Sequence, residues 1–241
     1  MFTFIRKLTG VAIVASLVFA SSSALAGGSA YYEVTITNIT KSIIFTPIVV
    51  ASHRKKLSLF ELGERASEAL ATIAESGGHE PLAEMLANNG ADVGNSGGLL
   101  FPGESVKVTV SAAHGARRIT VASMMLPTND GFIALNGVKA PKRGSVTYYS
   151  PGYDAGSEPN DELCENIPGG GMCAGEGRSD LDDSIEGYVH IHRGIHGPSG
   201  TFVSDLAADV YDWRNPVAKI TITRIRGNDH DDDDDDDDDD D

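Results

Sequence analysis

The sequence is short of cysteine, tryptophan and positive charge. Its 241 residues include only two cysteines, Cys164 and Cys173, and one tryptophan, Trp213. Nineteen basic side chains face thirty-five acidic ones, for a net charge of -16, so there is no basic footprint for nucleic acid. No apolar run approaches the roughly 20 residues a membrane-spanning helix needs. The HExxH motif, Gly-rich phosphate loops, nucleophile–base pairs and paired acid/base motifs are all missing, which leaves enzyme chemistry without a signature. The acidic loop over residues 162–186, with Asp180, Asp182, Asp183 and Glu186, lacks the EF-hand spacing and reads as a solvated loop.

What is present begins with an export signal. Arg6 and Lys7 form a basic start, residues 11–20 an apolar core, and Ala24-Leu25-Ala26 a small-x-small cleavage site, so residues 1–26 read as a signal peptide. Export to a periplasm or the cell exterior, both oxidising, makes the two cysteines a disulfide pair, with the Gly-rich run Pro168-Gly169-Gly170-Gly171 letting the loop close. At the other end, Asp229 and residues 231–241 hold twelve of the acidic residues. Residues 228–241 therefore read as a disordered poly-Asp tail, and the body is only mildly acidic.

The intervening residues 27–227 are enough for one domain with one core. Tyr32-Glu33-Val34-Thr35-Ile36-Thr37-Asn38 alternates apolar and polar, and the β-branched run 43–50, interrupted by Pro47, follows it, so the two read as an opening hairpin. Leu59, Leu62, Ala66, Leu70 and Ile73 then recur every three or four residues, the stripe of an amphipathic helix stopped by Gly77-Gly78. Pro81 opens a second short helix bearing Leu82, Met85 and Leu86. A Gly-rich loop over 90–103 precedes strands at Val106-Val108-Val110, Ile119-Val121-Ser123, 132–135 and 146–149, and Lys219-Ile220-Thr221-Ile222-Thr223 closes the chain. Short strands with turn signals every eight to twelve residues predict a mainly β, antiparallel sandwich with a two-helix insertion.

Three carboxylates, Asp130, Asp154 and Glu158, lie in two turn-rich loops that a sheet brings to one edge. Carboxylates on turns that also expose carbonyls suit Ca²⁺, which takes oxygen ligands. The motifs around them, Ser123-Met124-Met125-Leu126-Pro127-Thr128-Asn129-Asp130-Gly131-Phe132, Tyr153-Asp154-Ala155-Gly156-Ser157-Glu158 and Asp212-Trp213-Arg214-Asn215-Pro216-Val217-Ala218, occur in that order. With them the chain resembles the F-spondin N-terminal (spondin-N) domain, in its bacterial form, over about residues 32–225. The resemblance implies a C2-like antiparallel β-sandwich that binds calcium through Asp130, Asp154 and Glu158, in an adhesion-type module. Glu158 stands where that family usually has Asp, and Gly131 where an aromatic residue is common.

A second constellation is Gly187-Tyr188-Val189-His190-Ile191-His192-Arg193-Gly194-Ile195-His196-Gly197. Strand alternation places Val189 and Ile191 on one face and His190 and His192 on the other, with His196 on the next turn, a platform for Zn²⁺ or Cu²⁺. Its His-Ile-His-x-Gly core also resembles the motif of chordin-type domains over about ten residues. Asp205, Asp209 and Asp212 read as a solvated loop, and Trp213 as an anchor of the closing strand.

Three functions follow as expectations. The leading one is an exported, non-catalytic, spondin-like binding or adhesion module with a calcium site and an extracellular or envelope protein or glycan as partner. Its alternatives are a transition-metal protein or metal-dependent enzyme using His190, His192 and His196, and a structural envelope protein without a metal.

Overall fold

A computed structural model describes residues 30–54, 57–169, 171–177 and 185–226. The expected signal peptide, the poly-Asp tail and Asp180, Asp182 and Asp183 lie outside these residues. The architecture is two antiparallel sheets with short helices. β1 (Ala30–Asn38), β5 (Ser105–Ser111), β8 (Ser145–Ser150) and β11 (Ala218–Arg226) form one sheet in the order β5-β1-β11-β8. The other runs β10 (His190–Ile191), β9 (Gly152–Asp154), β7 (Gly131–Lys139), β6 (Arg118–Leu126), β3 (Val49–His53), β4 (Asp92–Asn95), with β2 (Ile44–Phe45) paired to β6.

The sheets differ in how they are covered, and their sequences show it. In β1 every second residue is buried, Tyr32, Val34 and Ile36 facing inward, because the other face of that sheet meets water. β3 is buried throughout and β6 nearly so, because their sheet is covered on both faces. Val50, Ile119, Val121, Ile133 and Leu135 face the first sheet, whereas Val49, Ala51, Ala122, Phe132 and Ala134 pack under two helices.

Those helices are α1 (Glu68–Ser76) and α2 (Glu80–Asn88). Ser67 caps α1, its hydroxyl accepting from Leu70 N at 3.3 Å, and Gly77 ends it with φ at 71°. Leu70, Ile73, Leu82 and Leu86 are fully buried, each contributing on the order of 1.5–3 kcal/mol. A third helix, α3 (Ala208–Tyr211), is a single turn.

Three sequence expectations are corrected. The stripe beginning at Leu59 is helical only from Glu68, because the backbone before it bonds elsewhere. Leu59 N donates to Asn136 Oδ1, Gly63 N to Val189 O and Val189 N to Glu64 O, and Leu62 is exposed. This segment clamps the chain just ahead of His190. The opening hairpin is not formed either: β1 pairs with β5 and β11, while the run around Pro47 divides into β2 and β3 of the other sheet. The Gly-rich loop over 90–103 contains β4, which pairs with β3.

Cys164 and Cys173 form the expected disulfide. Among the described residues no helix is long and apolar enough to cross a membrane.

Candidate metal centre

Register across the sheet edge assembles the site. Gly131 of β7 lies opposite Asp154 of β9, and Asp154 lies opposite His190 of β10. The turn carrying Asp130, the end of β9 and the start of β10 therefore stand side by side at strand spacing.

Asp130 is fully buried. Its turn is held by Thr128, whose hydroxyl accepts from Gly131 N at 2.9 Å. The Asp130 Oδ2 atom accepts from Ser157 N at 2.7 Å, Ser157 Oγ at 3.3 Å and Glu158 N at 3.1 Å. Its Oδ1 is buried with no hydrogen-bond partner. Burial first, then the Asp154 charge, hold the Asp130 carboxyl well above the usual carboxylate range, against the pull of those two amides.

Asp154 is the centre of the cluster. Its Oδ1 accepts from Gly156 N at 2.8 Å and its Oδ2 from Asn160 Nδ2 at 2.8 Å, and burial raises its carboxyl as well. Asn160 Nδ2 also reaches Glu186 Oε1 at 3.1 Å. Asp154, Glu186 and His190 each offer one ligand atom within 4.8 Å of the others. Gly156 makes this approach possible. Its φ is +62°, and a Cβ there would stand 2.3 Å from Tyr188 O, so only glycine lets residues 185–190 lie against the β9 turn.

The two neighbouring histidines differ in tautomer. His190 Nδ1 faces the Ile191 carbonyl at 3.0 Å and must donate to it, which in the neutral ring leaves a lone pair on Nε2. That Nε2 lies 3.4 Å from Asp154 Oδ1 and has no hydrogen-bond partner. A lone pair facing carboxylate oxygens is repulsive until a cation, either a proton or a metal ion, sits among them. A ring that donates its other nitrogen to a backbone carbonyl is the usual state of a metal-binding histidine.

His192 is set the other way. Its Nδ1 accepts from Gly194 N at 3.0 Å, so in the neutral ring Nε2 carries the proton, and it lies 3.9 Å from Asp154 Oδ2. Burial, then repulsion from His190 and His196 whenever those rings are protonated, push its pKa down to about 3, so the ring is neutral. It packs on Trp213, ring centroids 4.9 Å apart, and supports the site without a lone pair to offer it. The expected strand faces are also changed: Val189 and His192 are buried while Ile191 is exposed, because β10 is the uncovered edge of the sheet.

His196 belongs to a separate group. Glu162, buried with its backbone at φ 57°, accepts from His196 N and Nδ1, Gly197 N and Ser204 Oγ, at 2.6 to 3.1 Å. The carboxylate holds a proton on His196 Nδ1, which in the neutral ring leaves Nε2 as an acceptor. A cleft of about 600 Å³ separates this group from the cation cluster; Asn160, Glu186, His192, Arg193, His196 and Phe202 line it.

The structure thus places Asp130 and Asp154 together, with Glu158 joined to Asp130 through its backbone, and adds His190 and His192 to the same locus. Glu186 is exposed, as the sequence suggests, but sequence reasoning missed its place beside Asp154 and passed over Asn160 and Glu162. Only the Asn160 position, two residues after Glu158 in the same turn, carried a local signal. No protein-family model matches the chain, and comparison with curated proteins finds no match.

Proposed function

We propose that this chain is an exported, non-catalytic binding module of the spondin type, in which a divalent cation at Asp154 orders the loops presented to a partner. The observation that carries the reading is the convergence of the His190 Nε2 lone pair with Asp154 and Glu186, beside the unpartnered buried Oδ1 of Asp130. Buried polar atoms without partners are rare, and two of them around one carboxylate call for a positive charge. The ordered trio of motifs and the two-sheet architecture support the spondin resemblance, and the disulfide suits an oxidising compartment. The partner is an extracellular or envelope protein or glycan.

Calcium is the ion the resemblance supports, drawn to the oxygens of Asp130, Asp154 and Glu158. A second reading has its own observation. The nitrogen donor of His190 suits a borderline ion such as Zn²⁺, with Asp154 and Glu186 completing the protein ligands. Thermal unfolding of the chain ending at Arg226, with EDTA, Ca²⁺, Mg²⁺ or Zn²⁺ added separately, tests both. A calcium-specific rise supports the first ion, a zinc-specific rise the second, and no shift with any cation removes the cation reading.

A further inference from the structure

The cleft beside the cation cluster is lined by polar groups open to a ligand. Arg193 lines it, and its guanidinium has no partner among the described residues. His196 presents Nε2 as an acceptor because Glu162 holds the proton on the other nitrogen. Phe202, 37% exposed, meets the His196 ring edge-on at 6.2 Å. His192, 94% buried, also lines the cleft and carries an Nε2 with no hydrogen-bond partner. Glu186 and Asn160 belong both to the cleft wall and to the cation cluster. An ion with three protein ligands keeps open positions for an outside oxygen.

These groups specify a chemistry. A planar guanidinium and a cation with open positions suit a bidentate oxyanion such as a carboxylate. In the neutral ring His196 Nε2 is an acceptor that suits a hydroxyl, a group that a bare acidic side chain of a peptide does not supply. A single exposed aromatic ring suits the C–H face of a sugar. The volume suits one or two sugar rings rather than a folded partner. We propose that this cleft binds a uronic-acid unit of an acidic saccharide, its carboxylate on Arg193 and on the bound cation, a hydroxyl on His196 Nε2, and its ring against Phe202. The assignment rests on the cation reading above for half of the carboxylate's partners.

Isothermal titration of the full chain with trigalacturonate, with the neutral β-1,4-galactotriose as comparison, tests it. Samples carry Ca²⁺ or Zn²⁺, or EDTA, and retained metal is measured in parallel against Asp154→Asn and His190→Ala, so that ions held by the tail are subtracted. Trigalacturonate should bind and galactotriose should not. Arg193→Gln should weaken binding at least 10-fold and His196→Phe at least 5-fold, while both variants keep their metal and their cation-dependent melting. EDTA should weaken binding at least 10-fold. A metal-loaded chain that ignores trigalacturonate, or binds it equally well as Arg193→Gln, overturns the cleft assignment and leaves the cation standing. A chain that retains no metal at Asp154 yet binds trigalacturonate through Arg193 removes the cation and keeps the cleft. Loss of both overturns both.

Discussion

His190 Nε2 lies 3.4 Å from Asp154 Oδ1 because the two residues are register partners on the last two strands of the sheet. A carboxylate loop and a histidine strand that look like competing metal sites in the sequence therefore share one residue. Competition between oxygen-loving and nitrogen-loving ions is set by which of Asp154's neighbours, Asp130 or His190, contributes to the shell.

Cation-dependent stabilisation should depend on that shared residue. A ligand at about 100 times its Kd raises stability by about 2.7 kcal/mol when it binds only the folded state. Asp154→Asn should lose that gain with every ion, and His190→Ala should lose it with Zn²⁺. His196→Ala should retain it, since His196 is bound to Glu162 instead. Melting curves followed by circular dichroism measure this, and an undiminished response in Asp154→Asn would sink the site.

Asp130 gives the site its pH dependence. Its folded pKa is raised, so its contribution is fully present below the unfolded value and is lost as pH rises through the folded one. In EDTA the protein should therefore lose stability at this position as pH rises above the ordinary carboxylate value of about 4. Asp130→Asn should remove the loss and be more stable than the parent at the high-pH end of the titration. With the cation present the order should reverse. Urea titrations at several pH values, with and without EDTA, check both signs.

Local periodicity made part of this fold legible. The alternation of Tyr32, Val34 and Ile36 announced a strand with one wet face, and the cysteines their disulfide. The stripe from Leu59 misled, because helical spacing says nothing about backbone groups already bonded to Asn136 and Val189. The approach of His190 to Asp154 was illegible for a related reason. It depends on the pairing of strands thirty-six residues apart, and no local pattern sets that register. Glu186 is the exposed acid the sequence suggests, but its approach to Asp154 and His190 depends on the Gly156 turn and has no local signal.

Gly156 should be among the least replaceable residues. Alanine there combines a left-handed backbone with a Cβ 2.3 Å from Tyr188 O and 2.8 Å from Tyr188 N. Backbone cannot yield as a flexible side chain does, so Gly156→Ala should cost roughly 3 kcal/mol or more. It should also push residues 186–190 off Asp154 and abolish the cation response while leaving the disulfide intact. Chemical denaturation with a thiol count measures the first and third, and a cation-dependent melt the second.

His192 should govern acid lability. Its folded pKa of about 3 lies below the ordinary value, so its contribution is fully present above about pH 6.5 and is lost as pH falls toward 3. The loss is bounded at about 4–5 kcal/mol, at 1.36 kcal/mol for each unit between the two values. Its sign opposes that of Asp130, so in the parent protein in EDTA the two contributions should offset each other where their pH ranges overlap. His192→Gln should flatten the acid side alone. Trp213 supplies an internal probe, since it is the only tryptophan and its ring lies 4.9 Å from the imidazole. Its emission should stay constant on acidification until the imidazole is protonated, and then change together with unfolding measured by circular dichroism. An emission change near pH 6.5 in the folded protein would mean that His192 is accessible to protons, and the buried, neutral supporting role would fall.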